Sequence, residues 1–390
     1  MSMTRANKRP LRLMSMLSGT GMGGADILAL DFSIRLHRMG HHVIFCCPPD
    51  NILIKKAEEA GLEIKPLEQK RQGVTDIGSL RDFIRYCAGK KIDIVNSHHS
   101  MGRHFLSAAR LLGLRSKSKI VFTRHCLRGG VPFTGFFDNL TSDLNIAVSN
   151  HVRRSFLLGG MLPGNIVTVH GGVDIEKFEN VPEEKIEEAR KKYIHPGAFN
   201  IGIVGRFHET EPFLKQGKPS MKRHEVLFRA LATIKEYGFN LLVIGPSDPR
   251  SLEIMKKLAG LCGLNESALT LCGFQEDVAP FYKIMDLNVL PSPREGLGLA
   301  VVEAMAAGAP TVGAGSGGIK EIITDGVDGF LFRPGSSDDL ARKIKLLLGN
   351  AGLRISFAQK GRRKAGELFD IEKNSKKLEE VFYRVAGLRF

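Results

Sequence analysis

The chain has 390 residues, of which 43% are hydrophobic and 25% charged, a globular composition that argues against disordered, collagen-like and coiled-coil proteins. Its length is enough for two domains of ordinary size. The formal net charge of +15 is uneven, since residues 1–172 hold 24 basic and only 12 acidic residues, which raises the question of an acidic partner for the N-terminal half.

Neither disulfides nor a membrane-spanning segment are expected. The six cysteines form no C-x-x-C pair, which favours buried thiols in a reduced compartment over a zinc site. No run approaches the eighteen apolar residues of a spanning helix. The basic N-terminus turns apolar only briefly before a glycine loop, so we interpret it as a first β-strand rather than a signal peptide.

Short apolar runs alternate with helical patterns along the first half of the chain. Strands that alternate with helices of ten or more residues indicate a parallel sheet covered on both faces. The predicted strands are Leu11–Leu17, His42–Cys47, Ile92–Asn96, Lys119–Thr123, Leu144–Val148 and Ile166–Val169, with helices at Ala25–Met39 and Ile77–Ala88.

A polar stretch at 176–199 interrupts this alternation, and a second βα series follows it. Two such series predict an α/β protein with two Rossmann-like, doubly wound domains facing across a cleft. The predicted division is a first domain over 1–176, a linker over 177–199 and a second domain over 200–370. The second series comprises strands at Asn200–Val204, Leu241–Ile244, Leu269–Cys272, Leu287–Leu290 and Pro310–Gly313, and helices at His224–Tyr237, Leu299–Ala307, Ile319–Thr324, Ser337–Gly349, Ser356–Leu368 and Ile371–Val385.

A glycine-rich loop follows the first predicted strand and opens the first helix. Gly19, Gly21 and Gly24 have G-x-G-x-x-G spacing, with Gly23 inside it. Such glycines allow close backbone approach to a ligand, and the helix N-terminus favours anions. The second strand lacks the terminal acidic residue typical of NAD sites. Three interpretations stay open: an NAD site, a plain glycine turn, and a loop that receives phosphate or sugar.

A second motif reads PSPREGLGLAVVE from residue 291. Glu295 lies in the loop after a predicted strand, and Gly296 and Gly298 let the chain turn tightly into a helix. The N–H groups of Gly298 and Leu299 would be free donors at that helix N-terminus, where the dipole favours a diphosphate. Glu303 lies one turn into the helix, so one carboxylate could accept hydrogen bonds from a sugar and the other from a ribose.

At these residues the chain resembles the retaining glycosyltransferases of family 4, which have the GT-B fold. Two glutamates separated by seven residues, in an EGxGL…EAMA…G context, are the hallmark of that family. The resemblance extends over most of the chain and implies an N-terminal acceptor domain, a C-terminal donor domain, and a final helix, within 371–390, that packs back on the first domain. Further segments match in order, namely Gly23–Asp26, Ile146–Ser149, His170–Asp174, Ile203–Arg206, Leu271–Phe274, Gly317–Glu321 and Asp325–Phe330.

The resemblance also assigns site residues. Arg206 and Lys222 are similar to the basic pair that clamps the donor diphosphate, although an apparent insertion at 207–221 makes Lys215 and Lys218 competitors of Lys222. His125 resembles the histidine that reaches the donor sugar. The expected catalytic residues are therefore Glu295, His125, Arg206 and Lys222; the expected donor-binding residues are Gly23, Gly24, Gly205, Arg206, Lys222, Gly273, Glu295, Gly296, Leu297, Gly298, Leu299 and Glu303; and the acceptor-binding candidates are Asp26, His98 and His99.

The implied reaction is a retaining, hexosyltransferase-type transfer from a nucleotide-diphosphate sugar to a hydroxyl of a glycan or lipid-linked acceptor, in cell-envelope polysaccharide or lipopolysaccharide synthesis. No Asp-x-Asp ends a predicted strand, so neither a metal nor another cofactor is expected. Three alternatives stay open: a nucleotide-sugar epimerase of GT-B architecture, an NAD-dependent oxidoreductase, and a non-enzymatic binding protein. The sequence does not identify the sugar, the base or the acceptor.

The resemblance gives the charge asymmetry an interpretation, because the basic half is the acceptor half. Its basic residues are either solvated faces or a surface for an anionic acceptor or an anionic membrane. We expect a cytoplasmic protein, peripheral at the inner membrane, and no nucleic-acid partner. The basic residues considered are Arg103, Arg110, Arg115, Lys117, Lys119, Arg153 and Arg154.

Overall fold

The computed structural model describes residues 9–19, 23–67, 77–112, 118–127, 134–207, 219–245 and 248–388. The chain divides into two units. The first comprises Met1–Gly172 together with Ile371–Phe390, and the second comprises Val173–Asp370. Within the described residues, no helix combines the length and the apolar character that crossing a membrane requires.

The first unit is built on a seven-stranded parallel sheet with the order β3-β2-β1-β4-β5-β6-β7. Its central strands are buried on both faces and rich in Val, Ile and Phe, as expected for a parallel sheet between two helical layers. The strands are β1 (Arg12–Met16), β2 (His42–Cys47), β3 (Glu63–Pro66), β4 (Ile94–Ser97), β5 (Lys119–Arg124), β6 (Leu144–Ala147) and β7 (Ile166–Thr168), and the helices are α1 (Gly24–Arg38), α2 (Ile54–Glu59), α3 (Ile77–Gly89), α4 (Ser100–Leu111), α5 (Thr134–Thr141) and α6 (Asn150–Leu157).

The second unit repeats this plan with a six-stranded parallel sheet of order β10-β9-β8-β11-β12-β13. The prediction of two doubly wound α/β sheets is therefore confirmed. The strands are β8 (Phe199–Val204), β9 (Phe239–Ile244), β10 (Leu269–Gly273), β11 (Leu287–Leu290), β12 (Thr311–Ala314) and β13 (Phe330–Phe332), and the helices are α7 (Ile175–Glu179), α8 (Glu183–Tyr193), α9 (His224–Ala232), α10 (Pro249–Leu261), α11 (Ala279–Lys283), α12 (Leu299–Ala307), α13 (Ile319–Ile322), α14 (Ser337–Leu348) and α15 (Ala351–Leu368).

The stretch 177–199, expected to be a linker, is largely helical. It holds most of α7 and all of α8 and belongs to the second unit, which begins at Val173. Asp277 anchors both helices to that unit, because its carboxylate lies 3.5 Å from Lys177 Nζ and 3.2 Å from Lys185 Nζ. The charged composition that suggested a linker is that of a helix lying at the surface of the second unit.

The last helix, α16 (Ile371–Val385), belongs to the first unit although the second unit precedes it in sequence. A buried histidine joins it to the sheet. His41 Nδ1 accepts the N–H of Leu11 at 3.1 Å, so Nε2 carries the proton and donates to Glu379 Oε1 at 2.9 Å. Arg35 adds a second link, with its Nε 2.9 Å from Glu372 Oε1.

In both sheets the strand order reverses beside the first strand of the unit. β1 lies between β2 and β4, and β8 lies between β9 and β11. Loops at the carboxyl ends of strands flanking such a point are the usual ligand sites of doubly wound sheets. The loops after β1, β4, β8 and β11 carry most of the residues that the sequence analysis selected.

Candidate active site

The loop after β11 turns into α12 at a glycine that the backbone requires. Gly298 is the N-cap of α12 with φ 104°, and its missing side chain leaves the helix without a side-chain cap. A residue with a Cβ atom would be strained at this φ. The first two N–H groups of α12, those of Leu299 and Ala300, are therefore donors at the positive end of a helix, an arrangement that suits an anion.

Two further glycines, Gly317 and Gly318, pack against the backbone of this loop. Gly318 N donates to Glu295 O at 2.9 Å. A Cβ atom on Gly317 would lie 2.5 Å from the same oxygen, and one on Gly318 would collide with Gly296 O. Gly317 and Gly318 lie in a segment that resembles the family, but the resemblance alone assigns them no role. The structure shows that their lack of side chains lets the backbone of Glu295 and Gly296 approach closely.

The side chains of Lys222 and Glu295 meet in an ion pair. Lys222 Nζ lies 2.6 Å from Glu295 Oε1, and the side chains keep 23% and 16% of their exposure. The methylene stem of Lys222 covers Gly205, where a Cβ atom would lie 3.5 Å from Lys222 Cγ. Three predicted donor-binding residues are thus brought together. The competing candidates Lys215 and Lys218 lie outside the described residues.

A hydrogen-bonded turn positions Lys222 just before α9. Ser220 Oγ donates to Glu225 Oε2 at 2.6 Å and accepts the N–H of His224 at 2.8 Å. Arg223, next to Lys222, has φ 59°, a left-handed conformation that costs a residue other than glycine about 1–2 kcal/mol. The Ser220–Glu225 bonds offset this cost and fix the direction in which Lys222 leaves the backbone.

Arg206 lies in the segment after β8 and is exposed. The backbone of Gly245 packs against the peptide that precedes Arg206, since a Cβ atom on Gly245 would collide with Gly205 O. Gly245 N in turn donates to Gly273 O at 2.9 Å. Gly205, Gly245 and Gly273 therefore bring three strand ends into close backbone contact, and Arg206 is exposed at this edge.

Glu303 has a partner that the sequence did not indicate. Tyr282 on α11 donates its hydroxyl to Glu303 Oε2 at 2.9 Å. Burial, and secondarily the charge of Glu303, raise the pKa of Tyr282 well above its ordinary value. The tyrosine therefore stays protonated and holds one carboxylate oxygen of Glu303 in place. No pattern connects the two residues, because their contact depends on how α11 packs against α12.

In the first unit, the histidines that directly follow β4 and β5 are hydrogen-bonded to each other. His98 Nδ1 lies 2.9 Å from His125 Nε2. Burial lowers the pKa of His98 well below its ordinary value and lowers that of His125 to about 3. Both imidazoles are thus neutral at physiological pH.

His99 and Asp26 connect the loop after β4 to the glycine loop after β1. Asp26 Oδ2 accepts the N–H of Gly23 at 3.1 Å, and His99 Nε2 lies 3.2 Å from Asp26 Oδ1. His99 Nδ1 accepts the N–H of Ser18 at 3.0 Å, so a neutral His99 carries its proton on Nε2. Asp26 and His99 hold the loop that includes Gly23, directly before Gly24, whereas Gly21 lies outside the described residues.

The cysteines are all free. Cys47 and Cys272 are buried, and burial raises the pKa of each thiol to about 12, so neither is a ready thiolate. Among the described residues no group of three or more His, Cys, Asp or Glu side chains is placed to hold a metal ion.

Comparison with known proteins gives matches in both units. The family model "Glycosyltransferase Family 4" matches residues 22–177, and "Glycosyl transferases group 1" matches residues 213–364. The capsular polysaccharide biosynthesis glycosyltransferase CapM of Staphylococcus aureus is 27% identical over 247 residues, 61% of this chain and 60% of that protein.

Solved structures share the fold over nearly the whole chain. A glycosyltransferase from Rickettsia africae has a TM-score of 0.84 at 19% identity, covering 97% of this chain and 99% of its own. Anabaena Alr3699/HepE, in complex with UDP-glucose, has a TM-score of 0.81 at 19% identity, covering 96% and 100%.

Proposed function

This chain belongs to the family 4 glycosyltransferases and has their GT-B fold, and on that premise we propose the reaction that it performs. The proposed activity is transfer of a hexose, with retention of anomeric configuration, from a nucleoside-diphosphate sugar to a hydroxyl of a glycan or lipid-linked acceptor. The name of the S. aureus relative supports an acceptor in cell-envelope polysaccharide synthesis. Lipopolysaccharide synthesis is the related alternative.

The observation that carries this proposal is the Lys222–Glu295 pair at the N-terminus of α12. An ammonium group, a carboxylate and free helix N–H donors are the groups that a sugar diphosphate needs. We assign the ammonium of Lys222 and the guanidinium of Arg206 to the diphosphate. Glu295 keeps one carboxylate oxygen to accept a hydrogen bond from the sugar.

In the proposed reaction the bond between the anomeric carbon and the phosphate oxygen breaks while the acceptor oxygen bonds to that carbon from the same face. The acceptor proton passes to the departing diphosphate. Negative charge grows on that group as the bond breaks, so Lys222, Arg206 and the helix N–H groups stabilise the transition state more than the ground state. We propose that no divalent metal takes part; the support is the absence of an Asp-x-Asp at the end of any predicted strand.

Two other residues are assigned roles in the proposed reaction. We assign the carboxylate of Glu303, which Tyr282 holds through Oε2, to a ribose hydroxyl. His125 hydrogen-bonds a hydroxyl of the donor sugar. Since its pKa is lowered to about 3, it does so as a neutral imidazole.

Substitution of the charged residues tests the site. Glu295→Gln, Lys222→Met and Arg206→Ala should each lower kcat roughly 100-fold or more and leave the far-ultraviolet circular dichroism unchanged. The exposed pair Lys345–Glu236, 3.8 Å apart in the same unit, supplies the matched controls Lys345→Met and Glu236→Gln, which should keep full activity. Near wild-type rates in the three site variants would contradict the assignment.

Donor identity and stereochemistry need separate measurements. A thermal-shift panel of UDP-, GDP- and ADP-sugars identifies the donor, since a ligand at 100 times its Kd stabilises the folded state by about 2.7 kcal/mol. UDP-glucose is the first choice because the Anabaena structure holds it. NMR of the product then gives the anomeric configuration, and an inverted product would refute the retaining mechanism.

We further propose that the first unit contacts an anionic membrane surface. On α5, Phe136, Phe137 and Leu140 are exposed, as are Leu158 and Leu162. Hydrogen bonds place these residues side by side, because Asn139 on α5 donates to Gly160 O at 3.1 Å and accepts the N–H of Leu162 at 3.0 Å. We call Phe136, Phe137, Leu140, Leu158 and Leu162 the apolar patch.

The charges around this patch are fewer than the sequence suggested. Arg110 and Lys119 both pair with Asp143, at 3.1 and 3.5 Å, and Arg103 lies 3.8 Å from Asp138. Arg115 and Lys117 lie outside the described residues. Arg153 donates through Nε to the backbone of Ile166 at 3.3 Å, whereas Arg154, on the helix that ends beside Leu158, is exposed. The proposed contact therefore rests on the apolar patch together with Arg154.

Co-sedimentation with liposomes tests this contact. Phe137 and Leu158 are 66% and 81% exposed, and the double variant Phe137→Ser/Leu158→Ser should lose binding to vesicles that contain anionic lipid. Leu261, 74% exposed in the second unit, gives the control Leu261→Ser. Equal sedimentation of the wild type with anionic and neutral vesicles would reject the proposal.

A further inference from the structure

A chain of hydrogen bonds runs from the sheet of the first unit to the imidazole of His125. Thr123 Oγ1 donates to Asn96 Oδ1 at 2.9 Å, and Asn96 Nδ2 lies 3.2 Å from His98 Nε2. His98 Nδ1 lies 2.9 Å from His125 Nε2. Thr123, Asn96 and His98 are buried, so water does not readily replace any member of this chain.

The direction of each bond follows from the chemistry of its atoms. An amide nitrogen only donates, so His98 Nε2 is the acceptor and is unprotonated. A neutral His98 must then carry its proton on Nδ1 and donate it to His125 Nε2. His125 Nε2 is in turn the acceptor, which leaves the proton of a neutral His125 on Nδ1, the ring nitrogen that does not face His98.

We propose that Asn96 and His98 are positioning residues that hold His125 in its Nδ1–H tautomer, so that His125 meets a sugar oxygen as a hydrogen-bond donor and not as a base. This inference rests on the proposed function only for the identity of the ligand, a sugar. The tautomer of His125 follows from the hydrogen bonds alone. Burial supports it, because the lowered pKa values of His98 and His125 keep both rings neutral. A doubly protonated ring would have no acceptor nitrogen, and the chain would break at that point.

Reversing the amide would reverse the whole chain. If Asn96 presented its oxygen to His98, His98 would donate through Nε2 and accept at Nδ1. His125 would then carry its proton on Nε2 and present an unprotonated Nδ1. The variant Asn96→Asp requires a proton on His98 Nε2, since a carboxylate only accepts, and it imposes this reversed state as long as the His98 ring carries a single proton. Ser15 Oγ, 3.2 Å from His98 Nε2, either donates or accepts, so Ser15→Ala is the matched control that leaves the direction unchanged.

The tautomer is measured directly by NMR on the full chain labelled with ¹⁵N-histidine, without any ligand. The His125 resonances are assigned by their loss in His125→Asn. We expect the Nδ1–H tautomer in the wild type and in Ser15→Ala, and the Nε2–H tautomer in Asn96→Asp. An Nε2–H tautomer in the wild type overturns the inference, and so does an unchanged His125 tautomer in Asn96→Asp beside a His98 ring whose own ¹⁵N shifts show a single proton.

Steady-state kinetics test whether the tautomer of His125 affects the rate of sugar transfer. Asn96→Asp should lower kcat roughly 100-fold, because a catalytic histidine held in the wrong tautomer can lose several orders of magnitude in rate, while KM for the donor changes little. His98→Gln should recover part of the activity that His98→Leu loses, since an amide can still donate to His125 Nε2. If Asn96→Asp does not fold, Thr123→Val replaces it. This variant lacks the hydroxyl that donates to Asn96 Oδ1, so the amide is no longer held in one orientation and His125 should show both tautomers.

The two proposals fail in different ways. Wild-type protein that shows the Nδ1–H tautomer but transfers no sugar from any donor contradicts the proposed function alone. Transfer that continues at the wild-type rate after the tautomer has reversed contradicts the inference alone.

Discussion

Lowering the pH should reduce the free energy of unfolding of the second unit, because one of its histidines is buried. His224, the first residue of α9, is fully buried, and within the described residues neither ring nitrogen has a hydrogen-bond partner. Its ring packs edge-on against Phe207, with the ring centres 5.3 Å apart, and lies 6.2 Å from Phe228. Burial, and secondarily the charge of Lys222, lower the pKa of His224 from 6.5 to about 3.

The size of the effect follows from proton linkage. Between pH 6.5 and about 3 the unfolded chain binds a proton that the folded His224 does not bind. The free energy of unfolding therefore falls as the pH drops below 6.5, is undiminished above it, and stops falling below about 3. At about pH 5 the contribution of one such histidine is a loss of about 2 kcal/mol.

Urea denaturation at pH 7.5 and pH 5.0 measures this loss, and His224→Phe isolates it. The phenylalanine keeps a ring between Phe207 and Phe228 but cannot bind a proton. Wild-type protein should lose about 2 kcal/mol more than His224→Phe between the two pH values. His195 is exposed, so His195→Asn controls for the removal of any histidine and should match the wild type. Equal pH dependence of the wild type and His224→Phe would refute the argument that His224 is buried as a neutral ring.

Two further predictions concern the donor site. Gly318→Ala places a Cβ atom against the backbone of the loop that carries Glu295. Titration calorimetry should therefore show donor binding weakened at least tenfold. The control Gly349→Ala, at a position where a Cβ atom has room, should bind the donor normally. Tyr282→Phe leaves Glu303 without its hydroxyl donor; since a hydrogen bond to a charged group contributes about 1.5–3 kcal/mol, initial-rate kinetics should show KM for the donor raised roughly tenfold with kcat retained.

The sequence predicted strongly patterned elements well and missed one edge strand in each sheet. His42–Cys47, Leu299–Ala307 and Ile371–Val385 have the bounds that their patterns predicted. The edge strands Glu63–Pro66 and Phe330–Phe332 were not predicted, although the equally short edge strand Ile166–Thr168 was. Each is a strand only through pairing with its neighbour, as Phe330 pairs with Val312.

The helix α8 within the predicted linker was missed for a different reason. Pro182 and Pro196 flank α8, and prolines so placed favour a break in regular structure. Pro182 is instead the N-cap of α8, Glu183 and Glu184 occupy its first turn, and basic residues occupy its last. Proline is tolerated at a helix start, and this charge order suits the helix dipole. The acidic start and basic end of α8 are visible in the sequence and mark the boundaries of the helix, whereas the two prolines point to a break.

In the proposed donor site, the sequence indicates which residues take part and the structure shows which of them are in contact. The motif selected Lys222 and Glu295 as separate residues 73 positions apart, and the structure joins them in one ion pair. The link was visible in the sequence only through the resemblance, since no spacing rule connects β8, α9 and β11. The turn at Ser220 and Glu225, which aims Lys222, carries no family motif and became evident only from its hydrogen bonds.

The hydrogen-bond chain to His125 could not be predicted at all, because it depends on strand register. Asn96 pairs with Val121 in the neighbouring strand, and Thr123, two residues further along, therefore lies on the same face of the sheet as Val121. A slip of one residue between β4 and β5 would put Thr123 on the opposite face, away from Asn96. His98 would then have no amide partner fixed by the sheet, and either tautomer of His125 would be equally available. The register of two buried strands thus determines which nitrogen of His125 carries the proton, a property that no residue within a loop motif could specify.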